Sequence, residues 1–296
     1  MRFLKICIAV FFFYSCKSQT KEEKPVVNGD DNTLLWQVSG KGLKKASYLF
    51  GTFHLLCKAD IHFSGPLKNA VSSTDEVYME MDMDDPATLL GGLFVMNMQG
   101  GKQLHSFYTN AEYKRIESFF TDSLHASLSL FQNTKPFFLV AMLYPKMMPC
   151  KAISGIEEEL MRLAKQDKKE IKGLETMEFQ ASVFDSIPYE EQARELLKSI
   201  DSLPEYKKSF DTMLMVYKSQ QLGEIEKLFN KTEFGMEGHE DLLLNGRNKT
   251  WVGQLKNIMK KESVFVAVGA GHLVGSQGLI ALLRKEGYTV IPLQNK

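Results

Sequence analysis

The chain has 296 residues, of which 36 are lysine or arginine and 36 are aspartate or glutamate. This length allows one large domain or two modest ones, and either arrangement can bury a sizeable core. The formal net charge is zero, so the composition lacks the basic excess with which proteins bind a phosphate backbone. No nucleic-acid partner is therefore expected.

The first 31 residues have the pattern of an export signal followed by a linker. A short positive segment precedes an apolar run over 6–14, which is too short to cross a bilayer as a helix. Ser15 and Cys16 follow, and this junction resembles the lipobox of bacterial lipoproteins. The resemblance implies that 1–15 is a lipoprotein signal peptide and that Cys16 becomes the lipidated first residue; a plain signal peptide with an incidental cysteine is the alternative. Residues 16–31 are polar and aperiodic, which predicts a flexible tether.

The front of the folded part, which begins at 32, is predicted to contain a β-α-β unit. Apolar and aromatic residues over 34–38 and 46–50 predict two strands joined by a turn. The second strand runs directly into Gly51-Thr52-Phe53-His54. A short helix is predicted at 66–72, and the alternating segment 76–82 predicts a further strand.

Residues 86–261 are predicted to form a mainly helical insertion, because apolar residues recur there at helical spacing. The predicted helices cover 112–120, 137–148, 156–164, 176–186, 193–200, 205–230 (two helices hinged at Gly223) and 245–261. One strand is predicted within the insertion, at 169–175.

The end of the chain repeats the pattern of the front. Residues 264–268 form a short apolar run, which predicts a strand buried on both faces. Gly269-Ala270-Gly271-His272 follows, then a helical pattern over 279–284 and a strand over 288–293. We expect one α/β (α+β) domain over 32–296, in which a mixed sheet is built from the N- and C-terminal β-α-β units.

His54 and His272 occupy matching positions, since each follows a glycine-marked strand end. Ligands bind beyond the carboxyl ends of strands in open α/β sheets, so both side chains are expected to face one crevice. A lone histidine at such a place is more often a structural residue, but two at matched places favour a shared site. Glu80 lies within an otherwise apolar strand, and a buried carboxylate usually has a cation or a metal beside it. An edge strand that points Glu80 to solvent is the alternative.

Two imidazoles and one carboxylate can hold a metal ion while leaving positions for water and substrate. His54, His272 and Glu80 are therefore the predicted metal ligands, and Glu80 is also a candidate general base. Arg247 is a candidate catalytic residue that would stabilise an oxyanion or pair with a carboxylate; a surface arginine is the alternative. Glu175 and His239 are weaker candidates for the same site.

Several motifs together resemble the TraB/GumN family, which includes the Tiki metalloproteases. They are GTFHLL at 51–56, the strand around Glu80, GLETMEFQ at 173–180, the Arg247-Asn248 pair and VGAGHLVGSQGLIALLRKEGYTV at 268–290. The resemblance implies that His54, Glu80 and His272 belong to the functional site. It also implies peptide-bond hydrolysis with manganese or cobalt, as in the Tiki branch, whereas other members are described as binding or shutting down peptide pheromones.

The predicted function is a metal-dependent hydrolase that acts on peptides or proteins. Its predicted ion is manganese, cobalt or zinc, since two nitrogens and one oxygen suit zinc and a shell richer in oxygen suits manganese. Lipidated Cys16 would anchor it in the bacterial cell envelope, on the periplasmic or surface face of the outer membrane. The alternative function is a lipoprotein that binds or sequesters peptides in the same crevice without turnover. For Cys57 and Cys150, a disulfide and two buried thiols are both open.

Overall fold

The computed structural model describes residues 32–85, 91–92, 95–229 and 238–296. The predicted signal peptide and tether, at 1–31, lie outside these residues. The strands are β1 (Leu35–Ser39), β2 (Ser47–Thr52), β3 (Leu56–Cys57), β4 (Glu76–Met81), β5 (Ile153–Ser154), β6 (Glu170–Glu175), β7 (Val264–Gly269) and β8 (Thr289–Pro292).

Six of these strands form one mixed sheet in the order β6-β4-β7-β2-β1-β8, and β3 pairs with β5 alone. Strands β6, β4, β7 and β2 run parallel, whereas β1 is antiparallel to both of its neighbours. The predicted α/β class with a mixed sheet is confirmed. Residues 264–268 in β7 are all buried, as expected for a central parallel strand that is covered on both faces.

The helices come mainly from the middle of the chain. They are α1 (Gly65–Ser73), α2 (Asn110–Leu124), α3 (Pro136–Ala141), α4 (Tyr144–Met147), α5 (Ile156–Gln166), α6 (Met177–Asp185), α7 (Tyr189–Asp201), α8 (Leu203–Ser219), α9 (Leu222–Phe229), α10 (Gly246–Ile258) and α11 (Leu279–Lys285). One hydrophobic core joins the sheet to most of these helices. Within the described ranges, no helix is both long and apolar enough to cross a membrane.

The segment 137–148 is not the single helix that its apolar pattern predicted. It is divided between α3 and α4, with Met142 and Leu143 between them. Pro145 lies in the first turn of α4, where its missing N–H is tolerated. Its ring would clash with the carbonyl one turn earlier if the helix continued through it, so one helix cannot span the whole segment.

The predicted hinge at Gly223 is also wrong, because Gly223 lies inside α9. The chain turns instead at Gln220, which has a left-handed φ of 58°. The Gln220 side chain accepts a hydrogen bond from the Leu34 N–H at 3.2 Å and donates one to the Asn295 carbonyl oxygen at 2.6 Å. Contacts with both ends of the folded chain thus stabilise a conformation that glycine adopts more readily.

Strand β6 shows that the helical middle of the chain takes part in the sheet. It lies at the sheet edge, parallel to β4. Gly173 lets the backbone that follows β4 lie close to β6, since a Cβ at position 173 would lie 2.6 Å from the Asp82 backbone nitrogen. This pairing brings Glu175, the last residue of β6, beside the end of β4.

Cys57 and Cys150 form a disulfide, so of the two alternatives left open by the sequence the bridged one is present. The bond joins β3 to the segment that leads into β5. A main-chain hydrogen bond from Ile156 to the Phe53 carbonyl oxygen, at 3.3 Å, reinforces this junction. The start of α5 is therefore held next to the loop that carries His54.

Candidate active site

The carboxyl ends of four neighbouring parallel strands lie at the same end of the sheet. Glu80 is the penultimate residue of β4, Glu175 ends β6, and Gly269 ends β7. His54 follows the end of β2, and β2 pairs with β7. Parallel alignment therefore gathers residues that are distant in sequence at the position where open α/β sheets bind ligands.

Arg247, in the first turn of α10, bridges two carboxylates. Its Nη2 donates to Glu80 Oε2 at 2.7 Å and to Glu175 Oε2 at 2.8 Å, while Nε donates to Glu175 Oε1 at 3.2 Å. The exposed fractions of the side chains are 11% for Arg247, 16% for Glu80 and 4% for Glu175. The planar guanidinium suits such multiple contacts. One positive charge therefore faces two negative charges that are largely shielded from water.

Glu80 has further donors around its carboxylate. The Gly269 N–H donates to Oε1 at 2.8 Å, and Gln180 Nε2 donates to Oε2 at 3.1 Å. Burial by itself would raise the pKa of Glu80, but the positive charges of His272, which is protonated in the acid range where Glu80 titrates, and of Arg247 lower it to about 2. Glu80 is therefore ionised at neutral pH.

His272 is 4% exposed, and Asn248 determines its tautomer. Asn248 Nδ2 donates to the Gln277 carbonyl oxygen at 2.8 Å, which directs the amide Oδ1 towards His272. Nδ1 of His272 lies 2.7 Å from that acceptor and therefore carries the proton. Nε2 keeps a lone pair, 3.3 Å from Arg247 Nη1 and 3.8 Å from Glu80 Oε1. Burial lowers the pKa of His272 to about 4, so its ring is neutral at pH 7.

Trp251, one turn after Arg247 in α10, packs against both groups. Its ring centroid lies 4.4 Å from that of His272 and 4.7 Å from the Arg247 guanidinium carbon. A fully buried aromatic ring thus limits the movement of the imidazole and of the guanidinium.

His54 differs from His272 in both exposure and charge. Its side chain is 79% exposed, and Nδ1 lies 2.8 Å from Oε1 of Glu157, a partly buried carboxylate in the first turn of α5. The hydrogen bond to Glu157 raises the pKa of His54 to about 9. At neutral pH the site therefore contains one charged and one neutral imidazole.

A cavity of about 290 Å³ brings these groups together. Its polar side chains are Thr52, His54, Glu80, Arg247 and His272. Its other side chains are apolar or aromatic and come from the loop after β2, from α3, α4, α6, α8 and α9, and from a π-helical turn at Asp241–Asn245. The polar cluster and the apolar surface therefore adjoin in one open cavity.

The predicted metal ligands do not form a metal shell in this arrangement. No group of three or more His, Cys, Asp or Glu side chains is placed to hold a metal ion within 32–85, 91–92, 95–229 and 238–296. Both oxygens of Glu80 already accept hydrogen bonds, and the Arg247 guanidinium stands where a metal would supply positive charge. The residues as arranged do not fit a three-ligand site, and metal binding by His54, Glu80 and His272 stays a prediction.

The four main candidates from the sequence lie around the same cavity. Glu80, Arg247 and His272 are in mutual contact within 3.8 Å. His54 lines the cavity as well, although its ring is paired with Glu157. Their catalytic and metal-binding roles remain predictions.

The weaker candidates differ in position. Both carboxylate oxygens of Glu175 accept hydrogen bonds from Arg247. His239 Nε2 lies 2.8 Å from Oε1 of Glu191 and is not part of this cluster. Sequence reasoning missed Glu157, because nothing in a run of three glutamates at 157–159 distinguishes the one that faces His54. It also gave no role to Gln180, although this residue ends the GLETMEFQ motif at 173–180.

Comparison with known proteins identifies the family. The model of the TraB/PrgY/gumN family matches residues 34–292. The protein named Metalloprotease TIKI2 from Danio rerio is 21% identical to this chain over an alignment 344 residues long, which covers 96% of this chain and 66% of the relative. The chain thus spans slightly less than two thirds of that relative's length. No solved structure matches the chain. The resemblance found in the motifs is confirmed, and the chain belongs to the TraB/PrgY/gumN family.

Proposed function

We propose that the chain is a hydrolase that cleaves peptide bonds in the cavity described above. The observation that carries the proposal is the contact of Glu80, Arg247 and His272, three residues from distant parts of the chain, beside a cavity with largely apolar walls. Family membership and the similarity to a protein named as a metalloprotease support this reaction class.

The two histidines have complementary states for acid–base catalysis. Neutral His272 offers Nε2 as the acceptor for a proton from the attacking water. Charged His54, which Glu157 keeps protonated, can donate a proton to the leaving amine when the C–N bond breaks. The N–H groups of Arg247 already bond to Glu80, Glu175, the Leu243 carbonyl oxygen and His272 Nε2. Arg247 would therefore stabilise the oxyanion on the carbonyl oxygen after Nη1 leaves His272, which would also free the His272 lone pair.

A divalent ion is part of the proposal, because the relative is named as a metalloprotease. Manganese, cobalt and zinc are the ions to test, with His54, His272 and Glu80 as the proposed ligands. With an ion bound, the two histidines would hold it in place of the acid–base roles given above, and Glu80 would have to leave Arg247 and Gly269. Isothermal titration of the full chain with each ion should show binding that His54→Ala and His272→Ala remove and that His239→Ala retains. Equal binding by all three variants would contradict this ligand set.

The reaction is tested by incubating the full chain with a random peptide library and identifying products by mass spectrometry. The incubations contain manganese, cobalt, zinc or a chelator. We expect products that disappear in Glu80→Gln and His272→Gln and persist in His239→Gln, a control whose imidazole pairs with Glu191. No products under any condition would contradict the proposed reaction.

The alternative, a lipoprotein that binds or sequesters peptides without turnover, gives a different result in the same experiment. One observation favours it: the Glu80 carboxylate is already bonded to Arg247 and Gly269, which makes it a poor base. Saturable peptide binding without products would support sequestration. Products would exclude it.

Anchoring through Cys16, and with it the location in the bacterial cell envelope, is also proposed. The proposal rests on the lipobox resemblance alone. When the full chain is expressed in bacteria with labelled palmitate, we expect label in the protein and none in Cys16→Ser. Equal labelling of both would contradict the anchor.

A further inference from the structure

We infer that the cavity selects a large apolar side chain of the substrate, so that peptides with a residue such as phenylalanine or leucine are preferred over peptides with a charged residue. This inference rests on the proposed function, because it names the substrate class of the same site. It concerns the apolar walls, whereas the proposed reaction concerns the polar cluster.

The apolar walls are made of aromatic rings that support one another. Phe137 and Phe184 stack with their ring centroids 4.0 Å apart, and Phe53 and Tyr217 lie 5.2 Å apart. The Tyr217 hydroxyl donates to the buried Gly51 carbonyl oxygen at 2.9 Å, so it faces away from a substrate group. Rings fixed in this way form a preshaped surface for an apolar group.

The charged groups of the described lining are already paired. Glu80 is bonded to Arg247, and His54 is bonded to Glu157. A charged substrate side chain that entered the cavity would leave water without a new partner, which is unfavourable. An apolar side chain would instead gain from leaving water.

A second cavity nearby shows that apolar walls are not a general property of this part of the molecule. It has a volume of about 710 Å³ and shares Phe137 and Tyr144 with the first cavity. Its lining also includes Glu191, Glu195 and Lys198, so charged side chains face it. The first cavity, at about 290 Å³, is also small enough that one or two side chains would fill it.

The inference is tested with capped heptapeptides of glycine and serine that differ only in the central residue, which is phenylalanine, leucine, lysine or glutamate. Cleavage by the full chain and displacement of a fluorescent phenylalanine peptide are both measured. We expect the phenylalanine and leucine peptides to be favoured by about tenfold or more in either measurement.

Helix α8 offers a matched pair of variants. Met213 is partly buried and lines the cavity, whereas Met215 is 63% exposed. Met213→Glu should remove the apolar preference and favour the lysine peptide, while Met215→Glu should leave the preference unchanged. Thermal unfolding checks that both variants fold. If Met213→Glu does not fold, Phe184→Glu replaces it, because Phe184 also belongs to the apolar lining of the cavity.

The outcomes separate the inference from the proposed reaction. An apolar preference in binding without any cleavage would support the inference and contradict the hydrolase. Cleavage that is equal for all four peptides would overturn the inference and leave the hydrolase standing. A preference that is the same in Met213→Glu and Met215→Glu would also overturn it, because the selecting surface would then lie elsewhere.

Discussion

Asn248 is a single buried side chain that decides which nitrogen of His272 faces the cavity. Asn248→Ala removes the acceptor for the Nδ1 proton, so both tautomers should become populated. We expect kcat/KM of the proposed reaction to fall by about 10- to 100-fold, as when an orienting partner of a functional histidine is lost. NMR of the imidazole nitrogens measures the tautomer without requiring activity. An unchanged Nδ1–H form in Asn248→Ala would contradict the assignment.

Arg247 illustrates the cost of an incomplete charge pair. Arg247→Met would leave the carboxylates of Glu80 and Glu175 buried together without their cation. Urea unfolding at pH 7 should show a loss of about 3–5 kcal/mol in the free energy of unfolding. Combining it with Glu80→Gln and Glu175→Gln should recover most of this loss, because no buried charge then lacks a partner. Failure of the triple variant to recover would contradict the electrostatic explanation.

Among the elements, the short β3–β5 pair depends on the disulfide between Cys57 and Cys150. Cys57→Ser should lower the free energy of unfolding by about 2–5 kcal/mol, since the bond closes a loop of 93 residues. It should also lower the pKa of His54, because β5 leads into the helix that supplies Glu157. NMR titration of His54 measures this. Dithiothreitol should reproduce both effects in the parent chain and have no effect on the variant.

Strands β4 and β7 are also joined at the end of the sheet opposite the cavity. Asp75 Oδ2 accepts hydrogen bonds from the Ser263 N–H and hydroxyl, each at 2.9 Å. The hydrogen bond from Lys45, followed by those from Ser263, lowers the pKa of Asp75 from 3.8 to about 2. Folding therefore favours the ionised carboxylate.

This shift predicts a pH dependence of stability. The contribution of Asp75 should be fully present above about pH 4 and lost as the pH falls towards 2, because the folded pKa is the lower one. Asp75→Asn should lower the free energy of unfolding by about 1 kcal/mol at pH 7, a modest value because the side chain is 39% exposed. Urea unfolding at pH 7, 5 and 3 should show that the difference in the free energy of unfolding between the parent chain and Asp75→Asn is smallest at pH 3. A difference that does not change with pH would contradict the role of the carboxylate.

For the molecule as a whole, β7 is the strand that unites the two ends of the chain. It pairs with β2 along one edge and with β4 along the other. A chain that ends at Ser263 loses this strand, and the remaining strands cannot form one continuous sheet. We expect such a chain to lose its near-ultraviolet circular dichroism and its dispersed NMR spectrum, with the full chain as the reference. A dispersed spectrum would contradict the central role of β7.

The elements that could be predicted are those whose pattern is local. The strands at 170–175 and 264–269 lie within a residue or two of their predicted bounds, because their apolar residues mark them directly. The turn at Gln220 could not be found in this way. Its partners, Leu34 and Asn295, are 186 and 75 residues away, so the interactions that stabilise it leave no signal in the neighbouring sequence.

The sequence by itself determined the α/β class, the pairing of the chain ends in one sheet, and the positions of His54, Glu80 and His272 near strand ends. Glycines and buried apolar runs encode these features locally. Only the tertiary structure decided that Arg247 bridges Glu80 and Glu175, and that a hydrogen bond to Glu157 raises the pKa of His54. These contacts join residues 72 to 167 positions apart, and each depends on atoms that approach to about 3 Å. Distances of that kind follow from strand order and helix packing, which no local pattern specifies.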